Sequence, residues 1–116
     1  MITCTLTYRI DPFQVDAFEA YAKAWVHLVP KIGTGLGAVH HGYFLPHEGA
    51  NDVAWAMFSL DGLAAYEEYR ARIAADAECQ AVFAFADRTR CILSYERSFT
   101  RPVLTGATPA DLGMIA

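Results

Sequence analysis

Two adjacent histidines and a nearby tyrosine form the most chemically suggestive cluster in the chain: His40, His41 and Tyr43. A histidine beside a cleft can act as a general base at neutral pH, and a phenol can donate a hydrogen bond to a developing oxyanion. His41 and Tyr43 are therefore candidate catalytic residues, with Tyr95 as a second phenol donor. In the more common alternative, His41 is a hydrogen-bonded wall residue and His40 lies at a dimer interface.

The two histidines cannot line one pocket if they belong to a regular strand, because successive side chains of a strand point to opposite faces. A shift of the register by one residue would exchange the two faces. We assign the more apolar set to the side of the predicted sheet that faces the helices: Val39, His41, Tyr43 and Leu45, together with Trp55 and Met57.

Large aromatic side chains supply a candidate binding site: Tyr8, Tyr21, Trp25, Trp55 and Tyr95. They can line an apolar pocket for a flat aromatic or polyketide-like ligand, with the phenol groups fixing its orientation. The same residues are more often ordinary core. Arg97 either anchors an anionic ligand or closes a salt bridge across a dimer, and we favour the salt bridge.

Other kinds of site find little support in the sequence. The segment from His47 to Asp52 contains imidazole and carboxylate groups, but their spacing fits no standard metal site and is typical of a turn. His41 could be the axial ligand of a haem, but no other feature of the sequence supports haem binding. There is no Ser-His-Asp constellation, HExxH helix or phosphate-binding loop, and the three cysteines lack CxxC pairing. We expect no metal and no cofactor.

The first half of the chain predicts a strand and a helix that carry several of these residues. Residues 2–10 alternate between apolar and polar side chains, which indicates a strand with one apolar face. Asp11 and Pro12 form a helix-start signal. Apolar residues then recur at helical spacing as far as Ile32, which predicts a helix of about five turns that ends at the glycine cluster of residues 33–37.

The second half predicts a hairpin, a helical region and a last strand. Residues 38–46 and 52–60 are strand-like runs joined by a short polar connection. Asp61-Gly62 can cap a second helix, whose pattern continues after a break near Asp76. Residues 90–99 alternate again and form the last strand.

This order predicts an α+β fold of ferredoxin-like βαββαβ type, an antiparallel four-stranded sheet with two helices on one face. No helix remains for the other face, so we expect a second copy to cover it and form a homodimer. Residues 1–104 are the predicted domain, and residues 105–116 are a tail that is either frayed or laid across the partner, with a short turn capped by Thr108. The uncovered face should carry small and semi-apolar residues: Thr3, Thr5, Thr7, Ala54, Ala56, Phe58, Ile92 and Ser94.

Composition limits the partners. At 116 residues and 54% hydrophobic residues the chain can form one domain with a sizeable core. A net charge of −4 with scattered basic residues disfavours nucleic acid. No apolar run is long enough for a membrane span and the amino terminus lacks signal-peptide features, so we expect a cytosolic protein.

Two segments resemble the NIPSNAP family: residues 41–70, which contain the hairpin and the second helix, and residues 92–103, which contain the last strand. The resemblance covers about residues 1–104. It implies the dimeric α+β barrel superfamily, in which two ferredoxin-like sheets join and each subunit has a cleft between sheet and helices. Bacterial members have no established activity, and relatives by fold include cofactor-free monooxygenases of polyketide quinols, haem-dependent enzymes and small-molecule isomerases.

Two hypotheses from different classes follow. In the first, a cytosolic homodimer binds a small apolar or aromatic molecule in the cleft, with cofactor-free oxidation or isomerisation by His41 and tyrosines. In the second, the chain is a non-catalytic interaction module, and its dimer surface and tail are the functional parts. An open cavity of a few hundred Å³ favours the first hypothesis.

Overall fold

The computed structural model describes residues 1–116 and contains four strands and three helices. In chain order these are β1 (Ile2–Ile10), α1 (Val15–Ile32), β2 (Val39–Phe44), β3 (Val53–Leu60), α2 (Leu63–Ala75), α3 (Ala77–Thr89) and β4 (Ile92–Thr100). No helix has the combination of length and apolar character needed to cross a bilayer.

The strands form one antiparallel sheet in the order β2-β3-β1-β4. The first and last strands of the chain are therefore neighbours, as in the predicted βαββαβ arrangement. The ferredoxin-like α+β fold is confirmed. The helical region after β3, however, forms two helices instead of one.

The core lies between one face of the sheet and the helices. Every second residue of β1 is buried there, and α1 contributes a buried stripe at three- and four-residue spacing. Strand alternation and helical periodicity thus produce two matching apolar surfaces, whose removal from water stabilises the fold. The main contributors are Cys4, Leu6, Tyr8 and Ile10 from β1, and Phe18, Tyr21, Trp25, Leu28, Val29 and Ile32 from α1.

The first helix begins later than the sequence predicts. Asp11 and Pro12 belong to a turn that precedes α1. The Asp11 carboxylate accepts a hydrogen bond from the Phe13 N–H at 2.9 Å, and the Asp11 carbonyl accepts one from the Gln14 N–H at 2.9 Å. Because both acceptors of Asp11 close this turn, the residue does not cap the helix.

The predicted break near Asp76 is confirmed. This residue alone separates α2 from α3, and its carboxylate accepts a hydrogen bond from the Cys79 N–H at 2.9 Å. A side-chain cap of this kind satisfies one of the N–H groups that the first turn of a helix leaves without a partner.

Arg72 ties α2 to the end of α1. Its Nη1 donates to the carbonyl of Ile32 at 3.0 Å and to that of Thr34 at 2.7 Å, while its Nε lies 3.2 Å from a Glu68 carboxylate oxygen. The guanidinium thereby satisfies carbonyls that the end of a helix leaves without partners.

We call the side of the sheet away from the helices the open face. It carries apolar side chains from the two neighbouring strands β2 and β3: Val39, Phe44, Trp55 and Met57. The segment after β4 has no regular element except a turn in which Thr108 Oγ1 accepts a hydrogen bond from the Asp111 N–H at 3.1 Å, as the sequence predicts.

Candidate functional site

A cavity of about 700 Å³ lies between the helix-facing side of the sheet and the three helices. Side chains from all seven elements line it, and most of them are apolar or aromatic. The volume is within the range of small-molecule binding sites.

Tyrosines gather at this cavity because of the strand register. Tyr95 of β4 pairs with Tyr8 of the central strand, so both rings lie on the helix-facing side with their centroids 6.1 Å apart. Tyr43 approaches Tyr8 from the other side, and the two hydroxyl oxygens are 3.5 Å apart, at the outer limit of hydrogen bonding. The three predicted tyrosines therefore form one continuous wall.

A β-bulge in β2 decides which histidine reaches the cavity. His40 pairs with Phe58 and Gly42 pairs with Met57, which leaves His41 as the extra residue. Gly42 has a φ of 127°, a conformation that a residue with a Cβ rarely adopts. The bulge shifts the phase of the alternation, so His40 and Tyr43 lie on the same face.

The prediction that His41 faces the helices is wrong. His41 lies on the open face, where its Nε2 is 2.7 Å from Ser59 Oγ, and Ser59 Oγ is 2.7 Å from Thr3 Oγ1. His40, which the sequence assigns to the opposite face, lines the cavity. The sequence-based assignment assumes unbroken alternation, and the bulge breaks it.

The assignment of the two faces of β3 is also wrong. Trp55 pairs with Thr7 and Met57 pairs with Thr5, so both side chains lie on the open face, and Trp55 is 51% exposed. Trp55 is therefore not a wall of the cavity. The helix-facing residues of β3 are the ones expected on the other side: Ala54, Ala56 and Phe58. β3 is apolar on both faces, so its pattern cannot choose between them, and the small alanines leave room for the large aromatic side chains of α1.

A second irregularity occurs in β4. Ile10 pairs with Ile92 and Arg9 with Ser94, so Leu93 is the extra residue. As a result Ile92 packs against the core, although the sequence predicts it on the uncovered face, and Leu93 is 62% exposed at the edge of the cavity. Beyond this point Tyr95 and Arg97 both lie on the cavity side, as the candidate site requires.

The charge states of the cavity residues follow from burial. Burial raises the pKa values of four lining phenols, Tyr8, Tyr21, Tyr43 and Tyr69, so all four remain protonated hydrogen-bond donors at neutral pH. Burial, and secondarily the neighbouring His41, lower the pKa of His40. His40 is therefore a neutral imidazole at pH 7, the form that can accept a proton.

Two arginines line the cavity without an acidic partner. The Arg97 guanidinium carbon is 5.6 Å from the centre of the Tyr95 ring, and that of Arg70 is 5.9 Å from the centre of the Tyr66 ring. Neither arginine is among the residues that form ion pairs within 4.0 Å. No carboxylate within that distance therefore compensates their positive charges.

The model of one family matches most of this sequence, over residues 5–105, and that family is NIPSNAP. The chain belongs to the NIPSNAP family. A comparison with curated proteins finds no significant match.

Solved NIPSNAP structures have the same fold. A family member of unknown function from Agrobacterium tumefaciens superimposes with a TM-score of 0.69 at 20% identity, covering 88% of this chain and 87% of that one. An uncharacterised NIPSNAP domain protein from Burkholderia xenovorans gives 0.64 at 23% identity, covering 93% and 100%. A protein from Nitrosomonas europaea provisionally named an antibiotic biosynthesis monooxygenase gives 0.63 at 6% identity, covering 90% and 100%. At these identities the likeness shows the fold alone.

Part of the candidate site of this NIPSNAP protein could not be predicted from the sequence patterns alone. Tyr66, Tyr69 and Arg70 of α2 line the cavity, although none of them is among the site residues predicted from the sequence. Their spacing of three and four residues carried the signal, since it puts a cation and two phenols on one side of the helix. No group of three or more His, Cys, Asp or Glu side chains lies close enough to hold a metal ion.

Proposed function

We propose that this NIPSNAP protein binds a small aromatic or apolar molecule in the cavity between sheet and helices. One observation carries the proposal: a space of about 700 Å³ lies between the sheet and the helices, and most of the residues that line it are apolar or aromatic. Protein interiors are normally filled, so an open apolar space of this size is typical of a ligand site.

The walls suit a flat ring system. Tyr8, Tyr43 and Tyr95 present neighbouring rings on the sheet side, while Tyr21 and Trp25 lie on the helix side. Aromatic side chains of this kind stack on or pack edge-on against an aromatic ligand. The protonated phenols can donate hydrogen bonds to its oxygen atoms.

The position of His40 in the cavity supports a reaction as part of this proposal. A neutral His40 takes a proton from a carbon next to a ligand carbonyl, and the electron pair moves onto the carbonyl oxygen, where the phenols of Tyr8 and Tyr43 donate to the enolate. Return of the proton from the imidazolium to a different carbon completes an isomerisation without a cofactor. Oxidation requires that the same enolate transfers electrons to dioxygen as co-reactant.

Thermal stability in the presence of ligands tests the binding proposal. We expect aromatic polyketides, quinols or aromatic ketones to raise the Tm, because a ligand that binds the folded state alone stabilises it. Ala74→Trp, at an exposed position that lines the cavity, should abolish the shift. Ala75→Trp, at the exposed neighbouring position outside the lining, should retain it. No shift from any of these compounds would overturn the proposal.

The open face favours a second proposal, assembly through that face. Phe44 pairs with Trp55 across β2 and β3, and both are about half exposed, at 48% and 51%. Together with Val39 and Met57 they form a contiguous apolar surface, which monomeric proteins rarely expose. We propose that a second copy of the chain covers this surface in a homodimer.

Light scattering of the purified protein tests the assembly. Wild type should have the mass of a dimer, and Trp55→Glu should give a monomer because the new carboxylate would be buried without a partner. Val26→Glu, on the similarly exposed side of α1, should remain dimeric. A dimer that survives Trp55→Glu would contradict assembly through the open face. If the protein is a dimer and none of the tested compounds changes its Tm, the results would support the second hypothesis, a non-catalytic interaction module.

A further inference from the structure

The segment after β4 carries apolar side chains that its own chain does not cover. Every residue from 103 to 116 is exposed. The radius of gyration is 16.9 Å and the longest dimension is 59 Å, whereas a compact chain of this length has a radius of gyration of about 13 Å. We conclude that this tail projects from the domain.

The end of the tail nevertheless has a defined local structure. Thr108 Oγ1 accepts a hydrogen bond from the Asp111 N–H at 3.1 Å, and the Thr108 carbonyl accepts one from the Leu112 N–H at 3.2 Å. Leu112, Met114 and Ile115, which we call the tail tip, are each more than half exposed. An apolar surface that is already ordered loses less conformational entropy when it docks.

The mouth of the cavity has complementary chemistry. Asp111 is the only charged residue between positions 102 and 116. The exposed charged groups of the cavity lining are Arg70, Arg97 and Asp87, an excess of one positive charge. Three further lining side chains are apolar and yet exposed: Phe83, Leu93 and Tyr95. An apolar tip beside a carboxylate thus matches an apolar opening with a basic excess.

Resting on the proposed assembly through the open face, we infer that the tail tip of one copy covers the cavity mouth of the other. The tail leaves its own domain at the far end of β4, since Thr100 pairs with Thr3 at the start of β1 whereas Tyr95 pairs with Tyr8. Stacked sheets lie about 10 Å apart. Residues 101–111 span up to about 36 Å when extended, so the tail can pass around the partner's edge strand to its cavity. The second copy then supplies a wall that each site lacks.

A spin label on the tail tests this contact between copies. Because the three native cysteines are buried, a nitroxide reagent should modify only the new thiol of Met114→Cys. An excess of this protein is mixed with ¹⁵N-labelled wild type. We expect the amide signals of Leu93 and Tyr95 in the wild-type chain to lose most of their intensity and to regain it when the nitroxide is reduced. Val26→Cys, on the exposed side of α1, is the matched control and should leave these signals unchanged.

A charge reversal tests the match between tail and mouth. Asp111→Lys in the spin-labelled chain should restore most of the intensity, because it brings a cation to the two arginines. Ala107→Lys adds the same charge outside the tip and should restore less. Equal effects of the two variants would overturn the charge match.

The remaining outcomes separate this inference from the assembly on which it rests. If light scattering shows a dimer but the wild-type signals keep their intensity, the tail contact is wrong and the open-face dimer stands. If the signals weaken only when isotope and nitroxide are on the same chain, the tail covers its own cavity and the inference is overturned. A wild-type monomer would overturn the assembly and the tail contact together.

Discussion

His40 and Tyr43 stack on each other with ring centroids 5.6 Å apart and planes inclined by 23°, although three residue steps separate them along one strand. Regular alternation would place them on opposite faces. The bulge at His41 and the positive φ of Gly42 bring them together. A backbone irregularity therefore assembles the polar part of the candidate site.

Gly42 should be sensitive to substitution because of its backbone conformation. An added Cβ would meet only the Phe44 ring at ordinary contact distance, so steric crowding is not the reason. The φ of 127° is the reason, and we expect Gly42→Ala to lower the free energy of unfolding by about 1–3 kcal/mol.

Urea denaturation measures the effect of Gly42→Ala. Gly106→Ala, at a tail position with open space and no positive φ, is the matched control and should stay within about 0.5 kcal/mol of wild type. Equal stability of the two variants would show that the bulge does not depend on glycine.

His40 should make the protein less stable in mild acid. Its pKa is lowered in the folded state, so the unfolded chain binds a proton more readily. The free energy of unfolding then decreases as the pH falls from about 6.5, which is the pKa of an unperturbed histidine, through the lower pKa of His40 in the folded state. Stability curves at pH 7 and pH 5 should differ less in His40→Gln than in wild type. His47→Gln, at the exposed hairpin tip, controls for the removal of a histidine, and an identical pH response of wild type and His40→Gln would contradict the prediction.

Proton abstraction should depend on His40 and not on His41. We expect the protein to exchange the carbon-bound protons next to the carbonyl of 2-tetralone with solvent deuterium, as followed by NMR. His40→Gln should slow this exchange by about a hundredfold or more, the usual contribution of a general base. His41→Gln should leave the rate unchanged, because His41 lies on the other side of the sheet. The reverse order of effects would remove His40 from the reaction.

Arg72 should matter more to stability than the arginine two positions before it. Arg72→Gln loses the hydrogen bonds to the Ile32 and Thr34 carbonyls, and we expect a loss of about 1–2 kcal/mol in chemical denaturation. Arg70→Gln, on the same helix but without a bond to a carbonyl, should stay within about 0.5 kcal/mol of wild type. A similar loss in both variants would indicate that helix propensity, not the tie between α1 and α2, is responsible.

The strands and helices could be predicted from the sequence, but which face of β2, β3 and β4 each side chain occupies could not. The alternation of β1 and the helical spacing from Phe18 to Ile32 each predict one buried side, because a single apolar face admits one orientation. β3 is apolar on both sides, and β2 and β4 each contain an extra residue. Gly42 marked one bulge in the sequence, whereas nothing about Leu93 marks the other. Tyr8, Tyr21, Trp25, Tyr43, Tyr95 and Arg97 were predicted and do line the cavity, whereas His41 and Trp55 do not.

If the cavity binds the proposed ligand, the supply of that ligand also affects how long the protein survives in a cell. Under the proposed function, a ligand in the cavity binds the folded chain and stabilises that state. A ligand present at about a hundred times its dissociation constant adds about 2.7 kcal/mol to the folded state. The unfolded fraction that proteases can degrade falls accordingly, and the steady-state level of the protein would rise and fall with the supply of its ligand.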